Sequence, residues 1–371
     1  MGRRSVLAGG AAAALAAGAP APAKRHTGNW FDRAIVIDAL SGSGDPEAPQ
    51  GVTRLSDESW SRLVATGLTA VRTTLLPVGN VPDPWAVFQQ SIADERALLA
   101  ANPERLLLVR SAADILKAKR EGRHGLILGT QDTVMVGPAL DRLAEMKTLG
   151  VTTVQLTYNN ANLAGDGALE TRNAGLTKLG RATIERVEAE KLLLDLSHGG
   201  ARTMAEGAAQ ARRPLVISHT GARALHDHPR NTDDATIRAV AEKGGVVGVY
   251  FMPFLVPDSR PRGEDLLRHV EHVANVAGED HVAIGTDNGP LPVVLTPEAR
   301  EFHRKWVLER IKAGIASPGE APDVFNIVAD YHSVDRYRRL SRDLERRGWP
   351  VRRIEKLMGA NLLRVYRDAW S

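Results

Sequence analysis

The sequence predicts a parallel α/β barrel of eight strands, with additional helices at its C-terminal end. The first observation is a regular alternation of short apolar runs and amphipathic stretches between residues 34 and 287. A strand that is buried on both faces of a parallel sheet reads as a continuous apolar run, whereas helices show a longer period. The second observation is that several runs end abruptly in polar residues, as strands do at the C-terminal rim of such barrels. Together these patterns predict a (β/α)8, TIM-like barrel.

Nine apolar runs fit buried strands, which is one more than the barrel needs. The run at 106–110 is the expected extra element, because only a short helix separates it from the next strand. The nine runs lie at residues 34–40, 67–76, 106–110, 125–131, 152–158, 192–198, 214–220, 246–251 and 281–287.

Helices are predicted between these strands from their apolar period and their end signals. Ser56 is expected to cap the first one, Asn102-Pro103 to end the second, and Gly150 to follow the fourth. The predicted spans are 56–65, 85–101, a short helix ending at Arg120, 138–149, 177–191, 201–211, 233–243 and 265–277. Helices at 298–313, at 334–347 and from Val351 onwards are expected to cover the barrel.

Composition narrows the function classes. The chain has 371 residues, of which 43% are hydrophobic and 25% charged, as in a globular enzyme with a sizeable core. It contains no cysteine, which excludes disulfides, thiolate metal sites and cysteine nucleophiles. The net charge of +4 is scattered and forms no basic stripe with interleaved aromatic residues, so a nucleic-acid partner is not expected.

Residues 1–23 have the features of an export signal. An Arg-Arg pair opens the chain, a small and apolar segment covers residues 6–19, and Ala-Pro-Ala at 21–23 resembles a cleavage site. This pattern is typical of twin-arginine signals, and its apolar part is too short for a stable membrane span. We therefore expect residues 24–371 to form a single barrel domain that acts in the periplasm or outside the cell.

Two neighbouring strands end on the same dipeptide, Ser-His. His198 closes one run, and His219 occupies the matching position in the next. Because parallel strands end at one rim, the two imidazoles are expected side by side. Imidazole is the commonest metal ligand and the usual acid–base group near neutral pH. The matching histidines therefore indicate a metal or acid–base site.

Other strand ends and one loop add polar side chains to this rim. Arg230, in the loop after His219, has the planar fork that suits a carboxylate. His226 and His228 in the same loop are expected to be exposed, and His124 is expected at the opposite rim. The strand ends themselves supply Asp38, Gln131, Asp132, Tyr158, Asn159 and Asp287.

Five motifs resemble those of the membrane (renal-type) dipeptidases, family M19 of the amidohydrolase superfamily. They lie at residues 194–198, 217–219, 228–231, 284–287 and 359–365, and the resemblance runs in order through nearly the whole chain after the signal. It implies a zinc-dependent barrel that hydrolyses dipeptides, with two zinc ions sharing a bridging carboxylate and a water. It also implies that His198 and His219 bind one zinc, that Asp287 handles the proton of the attacking water, and that Arg230 holds the substrate carboxylate.

The sequence departs from the family pattern at four site positions. The family's first strand ends Asp-x-His-x-Asp, but Leu40 and Gly42 replace the last two of those residues, and neither side chain can bind zinc. Gln131 stands at the position of the bridging glutamate, and a neutral amide cannot bridge two cations as an anion does. Tyr158 takes the place of a substrate-facing histidine. We therefore expect at most one zinc or other divalent cation, and no second metal.

The expected reaction follows from the groups that remain. Asp287 and Tyr158 are predicted as catalytic residues, and Arg230, Asn159 and Gln131 as substrate-binding residues. The predicted substrate is a small carboxylate-bearing amide or dipeptide-like molecule, and ordinary dipeptides should be hydrolysed slowly or not at all. The sequence is compatible with a homodimer.

Two alternatives stay open at this point. The barrel could carry another class of enzyme, a lyase or isomerase, or it could be an inactive relative that binds a small carboxylate. The four surviving groups, His198, His219, Arg230 and Asp287, favour a catalyst, since a binding protein has no need of all four.

Overall fold

The strands of the computed structural model, which describes residues 29–45, 47–48 and 51–371, form one parallel sheet. The strands are β1 (Ile37–Asp38), β2 (Ala70–Leu75), β3 (Leu106–Leu108), β4 (His124–Thr130), β5 (Val151–Gln155), β6 (Leu193–Asp195), β7 (Val216–Thr220), β8 (Val246–Val249) and β9 (Val282–Ile284). Eight of them follow each other in the order β1-β2-β4-β5-β6-β7-β8-β9, and β3 pairs with β4 outside this path. The extra strand is therefore the one at 106–110, as predicted.

Backbone hydrogen bonds between the two ends of the sheet nearly close it into a barrel. The Ala39 amide donates to the Ile284 carbonyl oxygen at 2.9 Å, and the Asp287 amide donates to the Leu40 carbonyl oxygen at 2.9 Å. The first and last strands are thus neighbours, and the predicted (β/α)8 barrel is confirmed.

Helices connect the strands. They are α1 (Trp30–Arg33), α2 (Asp57–Ala65), α3 (Pro84–Ala101), α4 (Ala112–Glu121), α5 (Arg142–Leu149), α6 (Lys178–Ala189), α7 (Ala201–Gln210), α8 (Asp234–Glu242), α9 (Gly263–Ala277), α10 (Pro297–Lys312), α11 (Arg336–Arg346), α12 (Val351–Glu355) and α13 (Asn361–Trp370). The predicted cap at Ser56 is confirmed, because its side chain accepts from the Ser59 amide at the start of α2. Helix α5 begins at Arg142, so the prediction of a helix from residue 138 was wrong there; Pro138–Asp141 form turns instead.

The last helix covers the N-terminal end of the barrel. Leu362, Val365 and Tyr366 of α13 form one buried cluster with side chains at the starts of the strands, Leu193 and Val246 among them. The turn before α13 runs close to β1, because a Cβ on Gly359 would lie 2.5 Å from the Ile35 carbonyl oxygen. This packing seals one end of the barrel and leaves the C-terminal rim for the site.

A long connection after β9 lies over that rim. It contains α10 and brings Trp306, Arg310, Ser317 and Glu320 to the cavity described below. In the part of the chain that the structure describes, no helix is long and apolar enough to cross a membrane. The predicted export signal at 1–23 lies outside the described residues.

Candidate active site

All the predicted site residues except His219 line a cavity of about 290 Å³ at the C-terminal rim. Its lining includes Gln131, Tyr158, Asn159, His198, Arg230 and Asp287. The ligand-capable atoms of His198, His219 and Asp287 all lie within 4.8 Å of one another. Among the described residues, this is the cluster of ionisable side chains that could hold a metal ion.

His219 presents an unpaired nitrogen to this cluster. Its Nδ1 lies 2.7 Å from Ser218 Oγ, and that hydroxyl donates to Asp195 Oδ2 at 2.5 Å. Since the hydroxyl proton is already used, Nδ1 of His219 is the donor and Nε2 carries the lone pair. His219 is fully buried, and its Nε2 has no hydrogen-bond partner among the described residues. A buried, unpaired lone pair of this kind suits a metal ion.

His198 is oriented by Asn159. Its Nδ1 donates to Asn159 Oδ1 at 2.6 Å, and the Asn159 amide is fixed in this sense because its Nδ2 donates to the Ile315 carbonyl oxygen at 2.8 Å. The lone pair of His198 is therefore on Nε2, where it accepts from Arg230 Nη2 at 2.8 Å. Asn159 thus uses its side chain to hold a histidine, a contact that the sequence did not predict.

Both Ser-His strand ends are tied to one buried ion pair. Arg72 Nη1 lies 2.7 Å from Asp195 Oδ2, with side-chain exposures of 1% and 0%. The other oxygen of Asp195 accepts from Ser197 Oγ at 2.8 Å and from the Ser218 amide at 3.0 Å. The serines of the two motifs therefore anchor the strand ends, and the histidines that follow them supply ligand-capable atoms to the cluster with Asp287.

Asp287 is the carboxylate of the cluster. It has a left-handed backbone with φ of 57°, as has His198 with φ of 63°, and such conformations in residues other than glycine concentrate at functional sites. Burial raises the pKa of Asp287 to about 6, although the guanidinium groups of Arg230 and Arg310 act to lower it. The carboxylate is therefore charged at neutral pH and can accept a proton.

Asp38 does not line the cavity, and its carboxylate instead holds neighbouring segments together. Its carboxylate accepts from the Thr286 amide at 2.8 Å, Thr286 Oγ1 at 2.6 Å and the Tyr337 hydroxyl at 2.5 Å. Burial raises the pKa of Asp38 to about 6 as well. These contacts connect β1 to the turn that carries Asp287.

Tyr158, a predicted catalytic residue, packs against His198 and is held by two residues that the sequence analysis did not single out. The Tyr158 ring stacks on the His198 imidazole with centroids 4.2 Å apart. Arg310 Nη1 donates to the Tyr158 hydroxyl at 3.2 Å, and Glu320 binds Arg310 through both carboxylate oxygens. Arg310 and Glu320 lie far beyond the last strand, so the strand-end rule could not identify them.

The loop histidines differ from the expectation of exposure. His228 is buried, stacks on Phe254 with centroids 4.6 Å apart, and donates from Nε2 to the Pro318 carbonyl oxygen at 2.9 Å. Its Nδ1 accepts from the Arg230 amide at 3.1 Å, so it fixes the backbone of Arg230. His226 is half-buried, and its Nδ1 lies 2.9 Å from the Phe254 carbonyl oxygen. The expectation failed because Phe254 and Pro318 cover the loop, which no local pattern shows.

Three positions where the family resemblance implies metal ligands hold Leu40, Gly42 and Gln131. Leu40 is buried with 1% exposure, and Gly42 has no side chain. Gln131 lines the cavity, where its Nε2 donates to Thr74 Oγ1 at 2.8 Å. The clustered ligand atoms of His198, His219 and Asp287 fit a divalent cation.

Comparison with known proteins places the chain among dipeptidases. The model of the family described as membrane dipeptidase (peptidase family M19) matches residues 65–296. The "uncharacterized protein in pqqA 5′ region" of Klebsiella pneumoniae is 29% identical over 304 residues, which cover 79% of this chain and 100% of that protein. Dipeptidase tcpJ of Claviceps purpurea is 24% identical over 269 residues, 71% of this chain and 56% of its own length.

Solved structures share the fold over most of the chain. An amidohydrolase from Pseudomonas aeruginosa has a TM-score of 0.78 and 30% identity, over 92% of this chain and 98% of its own. A metallo peptidase from Rhodobacter sphaeroides was solved with a phosphinate mimic of the dipeptide L-Ala-D-Ala. It has a TM-score of 0.71 and 20% identity, over 91% of this chain and 100% of its own. With a family match over more than half of its length, the chain belongs to the membrane dipeptidases of peptidase family M19, and it is a metal-dependent hydrolase of that family.

Proposed function

We propose that this protein is an exported hydrolase that works with a single divalent cation, zinc in the first place, on a small carboxylate-bearing amide or dipeptide-like substrate. The proposal rests on one observation. The ligand atoms of His198, His219 and Asp287 lie within 4.8 Å of one another, while Leu40 and Gly42 stand where a second cation would need ligands.

The donor set suits one catalytic zinc ion. Nε2 of His219 is buried and has no hydrogen-bond partner in the described part of the chain, Nε2 of His198 carries a lone pair, and Asp287 supplies a carboxylate. Three protein ligands with an open position are the usual arrangement of catalytic zinc. When bound, such an ion lowers the pKa of a water and polarises a carbonyl group.

The protein's own groups would recognise and position the substrate. The Arg230 guanidinium points into the cavity from a backbone that His228 holds, and its Nε is buried without a partner among the described residues. It is suited to the substrate carboxylate, because a guanidinium binds a carboxylate in a planar, two-point manner. Asp287 would accept the proton of the attacking water. A cavity of about 290 Å³ is near the lower end of small-molecule pockets, roughly 300 Å³, which favours a substrate of dipeptide size.

Metal analysis and a substrate panel test this function. We expect one equivalent of metal per chain after dialysis, and slow turnover on a panel of dipeptides that includes D-configured second residues, with zinc, cobalt or manganese added. His198→Ala should lose both metal and activity. His272→Ala, which changes a histidine paired with Asp234 outside the cavity, should lose neither. A phosphinate mimic of a dipeptide serves as a binding probe.

Three results would contradict the proposal. Two equivalents of metal would show that the site is not reduced. Turnover above ~10 s⁻¹, the usual median for enzymes, would show that the missing ligands cost little. If no dipeptide is turned over and His198→Ala abolishes activity on another carboxylate substrate, a lyase or isomerase would be favoured instead.

Export has its own test. Replacing Arg3 and Arg4 by lysine should leave the protein in the cytoplasm with its first residues uncleaved, because twin-arginine transport requires the arginine pair. Fractionation of cells with an antibody against the C-terminus measures this. Periplasmic recovery equal to that of the wild type would rule out this route.

A further inference from the structure

Arg310 is held rigidly at the edge of the cavity by Glu320. Its Nε and Nη2 donate to the two carboxylate oxygens at 2.6 and 3.0 Å, and Glu320 also accepts from the Ser317 amide at 2.9 Å. The side chain of Glu320 is 2% exposed and that of Arg310 is 12% exposed. A two-point contact between buried partners fixes the plane of a guanidinium. The direction of the remaining nitrogen, Nη1, is thereby set.

That remaining nitrogen is directed at Tyr158. Nη1 of Arg310 donates to the Tyr158 hydroxyl oxygen at 3.2 Å, and the guanidinium carbon lies 6.0 Å from the ring centroid. Because the hydroxyl oxygen accepts this bond, its own hydrogen is free for an acceptor in the cavity. Among the described residues, Arg310 is the one hydrogen-bond partner of this hydroxyl.

The rest of Tyr158 is fixed as well. Its ring stacks on the His198 imidazole with an interplanar angle of 23° and a centroid distance of 4.2 Å. Tyr158 and two of the proposed metal ligands, His198 and Asp287, therefore line one cavity, with Arg230 also in the lining. A substrate whose carboxylate is bound by Arg230 would present its amide group between these side chains.

We propose that the Tyr158 hydroxyl donates a hydrogen bond to the oxygen of the scissile carbonyl as that oxygen becomes negative, and that Arg310 is the positioning residue that fixes and polarises this donor. This inference rests on the proposed function. No bond to Tyr158 forms or breaks, and its proton stays on the phenol oxygen. Removing one preorganised donor to such an oxyanion costs about 10²–10³ in rate.

The proposal accounts for the altered positions of the site. With Leu40, Gly42 and Gln131 in place of ligands, the site has lost the positive charge of a second cation near the reacting carbonyl. A rigid hydroxyl backed by a guanidinium supplies part of that stabilisation from the protein itself. Arg310 is not a second carboxylate anchor, because Glu320 already occupies two nitrogens of its fork.

Binding of two probes to the metal-loaded protein tests the pair. The phosphinate mimic of L-Ala-D-Ala has a tetrahedral, anionic centre, whereas the dipeptide L-Ala-D-Ala has a planar amide. We expect Tyr158→Phe to weaken phosphinate binding by about 10²-fold, the lower end of the cost of one such donor, and dipeptide binding by less than about threefold. Arg310→Met should also weaken phosphinate binding more than dipeptide binding, but by a smaller factor than Tyr158→Phe. Arg310→Lys should restore part of the phosphinate binding that Arg310→Met loses. Arg304→Met, an exposed change on α10, is the control.

Calorimetric titration and steady-state kinetics give the readouts. For any substrate that is turned over, kcat should fall in Tyr158→Phe and KM should stay close to the wild-type value. Equal losses on the two probes, or no loss on either, would overturn the proposal. Tyr158→Phe keeps the stacked ring, so it remains informative even if the Arg310 variants fail to fold. If the wild type binds neither probe, the proposed substrate class fails and this inference fails with it, which is a result distinct from equal losses.

Discussion

Arg230 Nη2 donates a hydrogen bond to His198 Nε2 at 2.8 Å. The guanidinium that is suited to the substrate carboxylate thus lies against the lone pair that is suited to the metal. A divalent cation at this nitrogen would replace the hydrogen bond and repel the guanidinium. Under the proposed function, substrate recognition and metal binding would therefore be coupled through this one contact.

Removing the Arg230 guanidinium should tighten metal binding. Hydrogen bonds of charged groups contribute about 1.5–3 kcal/mol, so Arg230→Met should raise zinc affinity by roughly tenfold or more. The same variant should raise KM for a carboxylate substrate, since its anchor is lost. Zinc titration against a competing chelator measures the first effect, and Arg238→Met on the outer helix α8 is the control. Unchanged or weaker zinc binding would contradict the competition.

Restoring three ligands should restore a second metal. Leu40→His, Gly42→Asp and Gln131→Glu together return an imidazole and two carboxylates to the first strand and the bridging position. Among the described residues, the atoms nearest to a Cβ at Gly42 lie 3.8 Å away, so its backbone tolerates a side chain. We expect two equivalents of zinc by elemental analysis and faster hydrolysis of ordinary dipeptides. Gln131→Glu alone should still bind one equivalent, and a single equivalent in the triple variant would show that other features exclude the second ion.

The buried pair of Arg72 and Asp195 should matter to stability. Arg72→Met leaves the Asp195 carboxylate buried without its partner, and such changes cost about 3–5 kcal/mol in free energy of unfolding. The exposed pair of Arg54 and Glu104 is a suitable comparison, because Arg54→Met should cost less than about 1 kcal/mol. Chemical denaturation of both variants measures the difference. Similar costs for the two would mean that Asp195 is satisfied without Arg72.

Stability should depend on pH through Asp287. Its pKa in the folded protein is about 6, above the ordinary value of 3.8, so the folded state favours the protonated form. The resulting contribution to stability is complete below about pH 4 and is lost as the pH rises through 6. In the metal-free protein, Asp287→Asn should therefore stabilise the fold at pH 7 by about 2–3 kcal/mol, at 1.36 kcal/mol per pKa unit.

Denaturation curves between pH 4 and pH 8 check this dependence on Asp287. The increase in free energy of unfolding that Asp287→Asn gives should shrink toward zero as the pH falls to about 4. Asp94→Asn, an exposed change on α3, should show no such trend. A gain that is independent of pH would mean that the asparagine improves packing rather than removing a buried charge.

Much of the fold was predictable because it depends on local patterns. Buried parallel strands need continuous apolar runs, so even the extra strand at 106–110 could be identified before its pairing with β4 was seen. The start of α2, which Ser56 caps, was placed to within a residue. The start of α5 was predicted four residues too early, because Pro138–Asp141 form turns although the apolar period continues through them.

The site was predictable only where it follows from strand ends. His198, His219 and Asp287 share a rim because parallel strands of a barrel end at one face, and the structure brings their ligand atoms within 4.8 Å. Arg310 and Glu320 could not be found in this way, since they come from the connection after β9. His228 was expected to be exposed, but its burial depends on Phe254 and Pro318, which are distant in the sequence.

The sequence by itself determined the barrel, the histidine pair at its rim and the presence of Leu40, Gly42 and Gln131 where the family resemblance implies metal ligands, because residue type and strand period are local properties. Only the tertiary structure decided which lone pairs face the cavity, that Arg230 lies against His198, and that Arg310 is clamped beside Tyr158. These features arise from contacts between side chains far apart in the chain, whose distances of 2.6–3.2 Å are set by the packing of the whole barrel.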